Sequence, residues 1–189
     1  MLFLMIPMPN EPPVKRPIDD KLILRIADGD TDALRTLYDG VHGAVYGFAL
    51  SILRDPQDAA DVLQDTFLRI YTKADGYQPC GKPLAWIFTI ARRLATDKLR
   101  ERARTCPMEQ VGEAAIAADH VADAEQRLLL ESLLNRLTDE ERQILILHTV
   151  RGIKHREIAA VLELPLGTVL SKYHRAVKRL QALAKEETL

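Results

Sequence analysis

Cysteine is scarce in this chain, with Cys80 and Cys106 the only two among 189 residues. They stand in no CxxC arrangement and share no zinc-like spacing with the five histidines, so neither a disulfide framework nor a metal site is expected. A reducing cytoplasm is the expected compartment. Long apolar runs are missing too: the opening MLFLMIPMP is too short to span a bilayer and is broken by Pro7 and Pro9, so no membrane insertion is expected. The chain also lacks an excess of either charge, with 26 basic against 27 acidic residues and a net charge of −1. Any surface for a polyanion must therefore come from local segregation of charge. No convincing strand pair and no internal repeat is present, which leaves an all-α reading.

What is present is helical periodicity in two blocks. Five prolines between Pro7 and Pro17 favour an extended leader over 1–17. From residue 18 to 104 apolar residues recur at three and four, as in Leu34, Leu37, Val41 and Val45, then Val62, Leu63, Phe67 and Ile70, then Trp86, Ile87, Ile90 and Leu94. Residues 105–124 lose the apolar face and read as an acidic, flexible linker. Periodicity returns over 125–189. The expected fold is two small helical domains joined by that linker.

The second block carries a recognisable layout. Thr138 stands three residues before Glu141, a capping-box spacing, and Gly152 suits a helix stop. HREIAAVLEL then predicts a short amphipathic helix, followed by a turn at Glu163, Leu164 and Pro165 and a long helix from about Gly167, the order of a helix-turn-helix. On the long helix Val169, Tyr173, Ala176, Leu180 and Leu183 share the packing face. Thr168, Ser171, Lys172, Arg175 and Arg179 share another, and residues 151–179 hold seven basic side chains against Glu157 and Glu163. A solvated basic helix has the same composition, but the short helix and turn before it favour duplex DNA as the partner.

The first block holds two further faces. In KPLAWIFTIARRLATDKLRERAR, Trp86, Ile87, Ile90 and Leu94 face a core, and Thr89, Arg92, Arg93, Thr96 and Arg100 form a basic and hydroxyl face. Tyr77, in the loop before it, is suited either to stacking on an unpaired base or to the core. In DPQDAADVLQDTFLRIYTK, Asp58, Asp61 and Asp65 line one side with Leu68 near their edge. An acidic stripe beside an exposed leucine suggests protein docking; a solvated face and a divalent-metal site built on the three aspartates are the alternatives.

Together these segments resemble the extracytoplasmic-function sigma factors of bacterial RNA polymerase, over about Asp30 to Ala184. DAADVLQDTFLRIY is similar to that family's polymerase-binding helix, WIFTIARRLATDKLR to its promoter-melting helix, and EIAAVLELPLGTVLSKYHRA to its second-domain recognition motif. The resemblance implies that residues 18–104 form sigma region 2 and 125–189 form sigma region 4. It implies a non-enzymatic, cytoplasmic protein without cofactor or metal, which binds core RNA polymerase and promoter DNA, directs promoter-specific initiation, and is restrained by an anti-sigma factor. Asp58, Asp61, Gln64, Asp65 and Leu68 then belong to the polymerase-binding surface, with Phe67 either there or in the core. Tyr77, Arg92, Arg93, Thr96 and Arg100 belong to −10 recognition, and Arg156, Thr168, Ser171, Lys172, Arg175 and Arg179 to −35 recognition. Three positions depart from the family pattern: Arg93 where Asn is common, Glu163 where Gly is common, and Lys154 where a Ser or Thr cap is usual. A conventional helix-turn-helix regulator, dimerising or sensing a ligand through its N-terminal domain, is the competing reading.

Overall fold

The computed structural model describes residues 18–105, 136–150 and 152–186. The predicted leader, nearly all of the predicted linker and the start of the second domain lie outside these residues. Among the described residues there are seven α-helices and no β-strand.

Short polar caps define the helix starts of the first domain. Helix α1 (Asp20–Ala27) begins where the Asp19 carboxylate accepts the Leu22 amide. Gly29, at φ +84°, then turns the chain toward α2 (Thr31–Leu53), which Asp30 caps by accepting the Ala33 amide at 3.0 Å. Asp55 does the same for α3 (Pro56–Lys73), accepting the Asp58 amide, and Pro56 occupies a first-turn position where its missing N–H leaves nothing unpaired. Helix α4 (Pro83–Thr105) likewise opens on proline. Helices α1, α3 and α4 all pack on α2. Its stripe of Leu37, Val41, Val45 and Phe48 meets Ile70, Ile87, Phe88 and Ala91, with Phe48 edge-on to Phe88 at 5.4 Å between ring centroids.

The second domain begins with the expected capping box. Thr138 Oγ1 accepts the Glu141 amide, and the Thr138 amide donates back to Glu141 Oε2 at 3.1 Å, opening α5 (Asp139–Leu145). The helix then widens into a π turn over Ile146–Val150, which the periodicity did not indicate. The unbroken burial of Ile144, Leu145, Ile146 and Leu147 accounts for the difficulty: this segment is covered by α2 on one side and by the last helix on the other. Gly152, at φ +65°, ends the segment as expected, with its amide donating to the His148 carbonyl at 2.8 Å. Helix α6 (His155–Leu162) has no side-chain cap at Lys154 and stops at Glu163 in the left-handed region, φ +56°. Helix α7 (Leu166–Glu186) completes the helix-turn-helix.

The two domains do not have separate apolar interiors. One continuous cluster runs from Ile23 and Phe48 through Phe88 to Ile144, Leu147, Ile158, Leu162 and Val169. The sequence reading expected two small helical domains joined by a linker; burial of the apolar sides of α5 and α6 against α2 and α4 adds a packed seam between them. Polar contacts reinforce the seam, with Arg54 bonded to Asp139 and Arg92 3.0 Å from Glu163. Because Phe88 is fully buried at the meeting of α2 and α4, Phe88→Ala is expected to lower stability by about 3–5 kcal/mol in urea unfolding followed by circular dichroism.

Candidate functional site

The acidic side of α3 divides into an internal and an external part. The Asp58 side chain is 15% exposed and lies between Lys98, at 3.1 Å, and Arg102, at 2.5 Å, both on α4. Asp61 meets Lys98 at 2.5 Å and Asp55 meets Arg102 at 3.1 Å. Burial opposes the charge on Lys98, but Asp61 and Asp58 outweigh it and hold the ammonium above its ordinary range. The Asp58 amide and Arg102 together hold the Asp55 carboxyl below its ordinary range. Asp58 and Asp61 therefore clamp α3 to α4, an internal role beside the partner-facing one expected of them; Asp58 is largely enclosed, and Asp61 stays 43% exposed. Gln64, Asp65 and Leu68 do face outward, with Leu68 61% exposed. Tyr71, 48% exposed, extends this patch on α3; Tyr38, packed tilted on Phe67, carries it onto α2. Phe67 itself is buried, which settles its placement in favour of the core. Sequence reasoning missed Tyr38 and Tyr71, although Leu68 and Tyr71 at i, i+3 were a usable signal.

On α4 the expected basic face is also divided. Arg93 and Arg100 are exposed, with Arg100 3.2 Å from Asp97. Arg92 and Thr96 turn toward the second domain, where they line a cleft with Ile52, Glu140, Gln143, Leu162 and Leu164. Glu163 occupies Arg92, and the Thr96 hydroxyl donates to the Arg92 carbonyl at 2.8 Å. Of the two placements open to Tyr77, the core is the one seen in this structure. Its ring is buried against Trp86, and its hydroxyl donates to Asp20 at 2.5 Å. Burial, then the Asp20 carboxylate, pushes the phenol above its ordinary range. Asp20 also accepts the Gly81 amide at 2.7 Å, so one carboxylate braces both ends of the loop before α4.

On α7 the free face is rotated from the expected one. Val169 and Ala176 are buried and Tyr173 and Leu180 pack, as expected. Lys172, however, reaches back to Glu140 at 2.6 Å, and Arg179 donates to Glu141 at 3.1 Å and to the Arg136 carbonyl. These cations tie α7 to α5, and Thr168 is half-buried beside them. Ser171 and Arg175 remain exposed on a face completed by Gly167, Leu170, His174 and Lys178. Arg156, on α6, is exposed as well. Leu170 and His174 lie outside the expected face because that face was set by the hydroxyl, lysine and arginine positions alone.

A histidine cluster packs the helix-turn-helix. The His148 and His155 rings stack at 4.2 Å, and Tyr173 meets them edge-on at 4.8 and 4.7 Å. His174 lies 5.7 Å from Tyr173, and His148 Nδ1 is 3.0 Å from the Ile153 carbonyl. Burial, then His148 and His174, lowers the His155 pKa from its ordinary value. Among the described residues no group of three His, Cys, Asp or Glu side chains is placed to hold a metal ion, and no helix is long and apolar enough to cross a membrane. Cys80 is exposed and free; Cys106 lies outside the described residues.

A helix-turn-helix seated on a helical domain with its own basic helix defines a DNA-binding class of protein. Comparison with known proteins narrows the class. Residues 37–105 match Sigma-70 region 2, and residues 127–180 match Sigma-70, region 4. The ECF RNA polymerase sigma factor SigK of Mycobacterium sp. (strain KMS) is 31% identical over 170 residues, covering 86% of this chain and 88% of that protein. The SigK of Mycobacterium ulcerans (strain Agy99) is 32% identical over 178 residues, covering 90% and 95%. Among solved structures, the sigma factor RpoE in complex with the anti-sigma factor NepR from Bartonella quintana superposes with a TM-score of 0.66 at 28% identity, covering 80% of this chain and 96% of that one. CnrH in complex with the cytosolic domain of CnrY superposes with a TM-score of 0.62 at 26% identity, covering 89% and 97%. The chain belongs to the ECF sigma factors of RNA polymerase.

The histidine cluster makes a pH-dependent prediction. With its folded pKa lowered, His155 takes up a proton less readily in the native state than in the unfolded chain, so its contribution is present above about pH 6.5 and is lost as pH falls. Urea unfolding at about pH 7.5 and 5.5 should show a smaller acid-induced loss of stability in His155→Gln than in the unaltered protein.

Proposed function

We propose that this chain binds core RNA polymerase through the outer side of α3, holds a −35 duplex with α7 and engages the −10 element with α4, so directing promoter-specific initiation. The observation that supports this most directly is the order of the two matched regions, 37–105 then 127–180, each carrying an exposed basic helix. Gln64, Asp65 and Leu68 act as the docking residues, with Tyr71 and Tyr38 enlarging the apolar part. Arg93 and Arg100 are the open −10 residues. Arg92 and Thr96 join them once α6 withdraws from α4 and Glu163 releases Arg92. Unstacking a base costs a few kcal/mol, which a basic helix offsets through contacts to the strand on either side.

In the second domain Arg156, Ser171 and Arg175 meet the −35 duplex. Thr168, Lys172 and Arg179 set the position of α7 and reach phosphate at its margin. The protein catalyses no bond chemistry in this reading and works in the cytoplasm with the polymerase. Its likeness to RpoE, whose structure contains an anti-sigma factor, supports an inhibitory protein partner.

Adding the purified chain to sigma-free core polymerase, followed by transcription from a genomic DNA pool and sequencing of transcript 5′ ends, should reveal start sites with shared −35 and −10 motifs. A protein that binds duplex DNA yet forms no polymerase complex and creates no start sites would be an ordinary regulator. The division of α3 gives a sharper expectation. Leu68→Ala should weaken core-polymerase affinity about tenfold without changing stability. Asp58→Asn should instead lower stability by about 1–3 kcal/mol, since it leaves Lys98 and Arg102 under-compensated.

A further inference from the structure

The first two turns of α7 present an unusual surface for a helix that meets a polyanion. Leu166 is 39% exposed and Leu170 is 37% exposed. They stand four residues apart, so one lies above the other on the helix. Isolated exposed leucines are ordinary on protein surfaces. These two are adjacent, and they occupy the end of the helix that enters a groove.

The polar side chains nearby are largely committed elsewhere. Lys172 is bound to Glu140. Thr168 is half-buried, and the Ser171 hydroxyl donates to the Thr168 carbonyl at 3.1 Å within the helix itself. Gly167 offers no side chain. Among the described residues, the exposed nitrogen donors nearby are His174 and Arg175 in the third turn and Lys154 and Arg156 at the neighbouring helix start. The leading end of α7 is thus apolar and rimmed by positive charge. The rim selects a nucleic acid over an apolar protein surface, and the apolar end selects what the major groove offers to a hydrocarbon, the C5 methyl of thymine.

We infer that Leu170, supported by Leu166, reads thymine methyl groups in the −35 duplex, so that part of promoter choice rests on apolar contact and not on hydrogen bonds. Arg175 and Arg156 anchor the helix on phosphate or on neighbouring bases, and the leucines discriminate. This inference rests on the placement of α7 at the −35 element proposed above.

The test uses polymerase holoenzyme carrying the full chain and a −35 duplex recovered by the start-site mapping. Each thymine of the −35 element is replaced in turn by deoxyuridine, which removes one methyl group and leaves base pairing intact. Affinity should fall about threefold to fivefold at one or two positions. That penalty should disappear in Leu170→Ala or in Leu166→Ala, both exposed positions whose folding is checked by thermal melting. No penalty at any position, or an equal penalty in both variants, overturns the inference. Arg175→Ala separates the two levels. If it leaves affinity for the −35 duplex unchanged, the placement of α7 itself is wrong; if it weakens binding while deoxyuridine has no effect, only the methyl reading fails.

Discussion

The ion-pair lattice between α3 and α4 is the constraint on which the first domain's surfaces depend. Asp58 is mostly buried and satisfied only while Lys98 and Arg102 stand over it, with Asp61 and Asp55 completing the balance of charge. A carboxylate in that position is costly to leave unpaired, so the two helices have little freedom to rotate about their axes. With the rotation set, Gln64, Asp65 and Leu68 have to point outward on α3, and Arg93 and Arg100 outward on α4. A buried apolar seam alone would tolerate some slippage. Charges that need particular partners do not.

The second domain uses the same device at α7. Glu141 is buried at the start of α5, where it closes the capping box and also accepts from Arg179, while Glu140 holds Lys172. Two basic side chains that would otherwise extend into solvent are thereby drawn back to α5. The face left open moves round the helix toward Leu170, His174 and Arg175. Formal charge on a helix therefore overstates its free charge, because acidic neighbours from another segment take a share.

A third carboxylate couples the domains. Glu163 occupies the left-handed position where glycine would cost less, about 1 kcal/mol for a side-chain-bearing residue, and from there it reaches Arg92. The cleft beneath, between α2, α4, α5 and α6, is lined by Arg92 and Thr96 from one domain and by Gln143, Leu162 and Leu164 from the other. A residue of the helix-turn-helix turn thus takes up a cation of α4, which links the exposure of one basic helix to the position of the other domain.

Most of the fold was legible because its determinants are local. Helical periodicity, the Thr138–Glu141 box, the glycine stop at Gly152 and the weak start at Lys154 all depend on residues within a few positions of one another, and each is found as read. The order of motifs was sufficient to indicate the family. What could not be read were properties set by distant residues: Tyr77 is buried because Asp20 and Trp86 meet it, Asp58 is internal because α4 supplies two cations, and Lys172 is held because α5 supplies Glu140. The shared apolar interior belongs to the same group, since it follows from α2 covering the far side of α5. Sequence by itself determined which helices form and which residue types each carries, because those depend on short-range hydrogen bonding and periodicity. Only the tertiary structure decided which of those side chains remain free to meet a partner, because burial and ion pairing are properties of helices brought together from far apart in the chain.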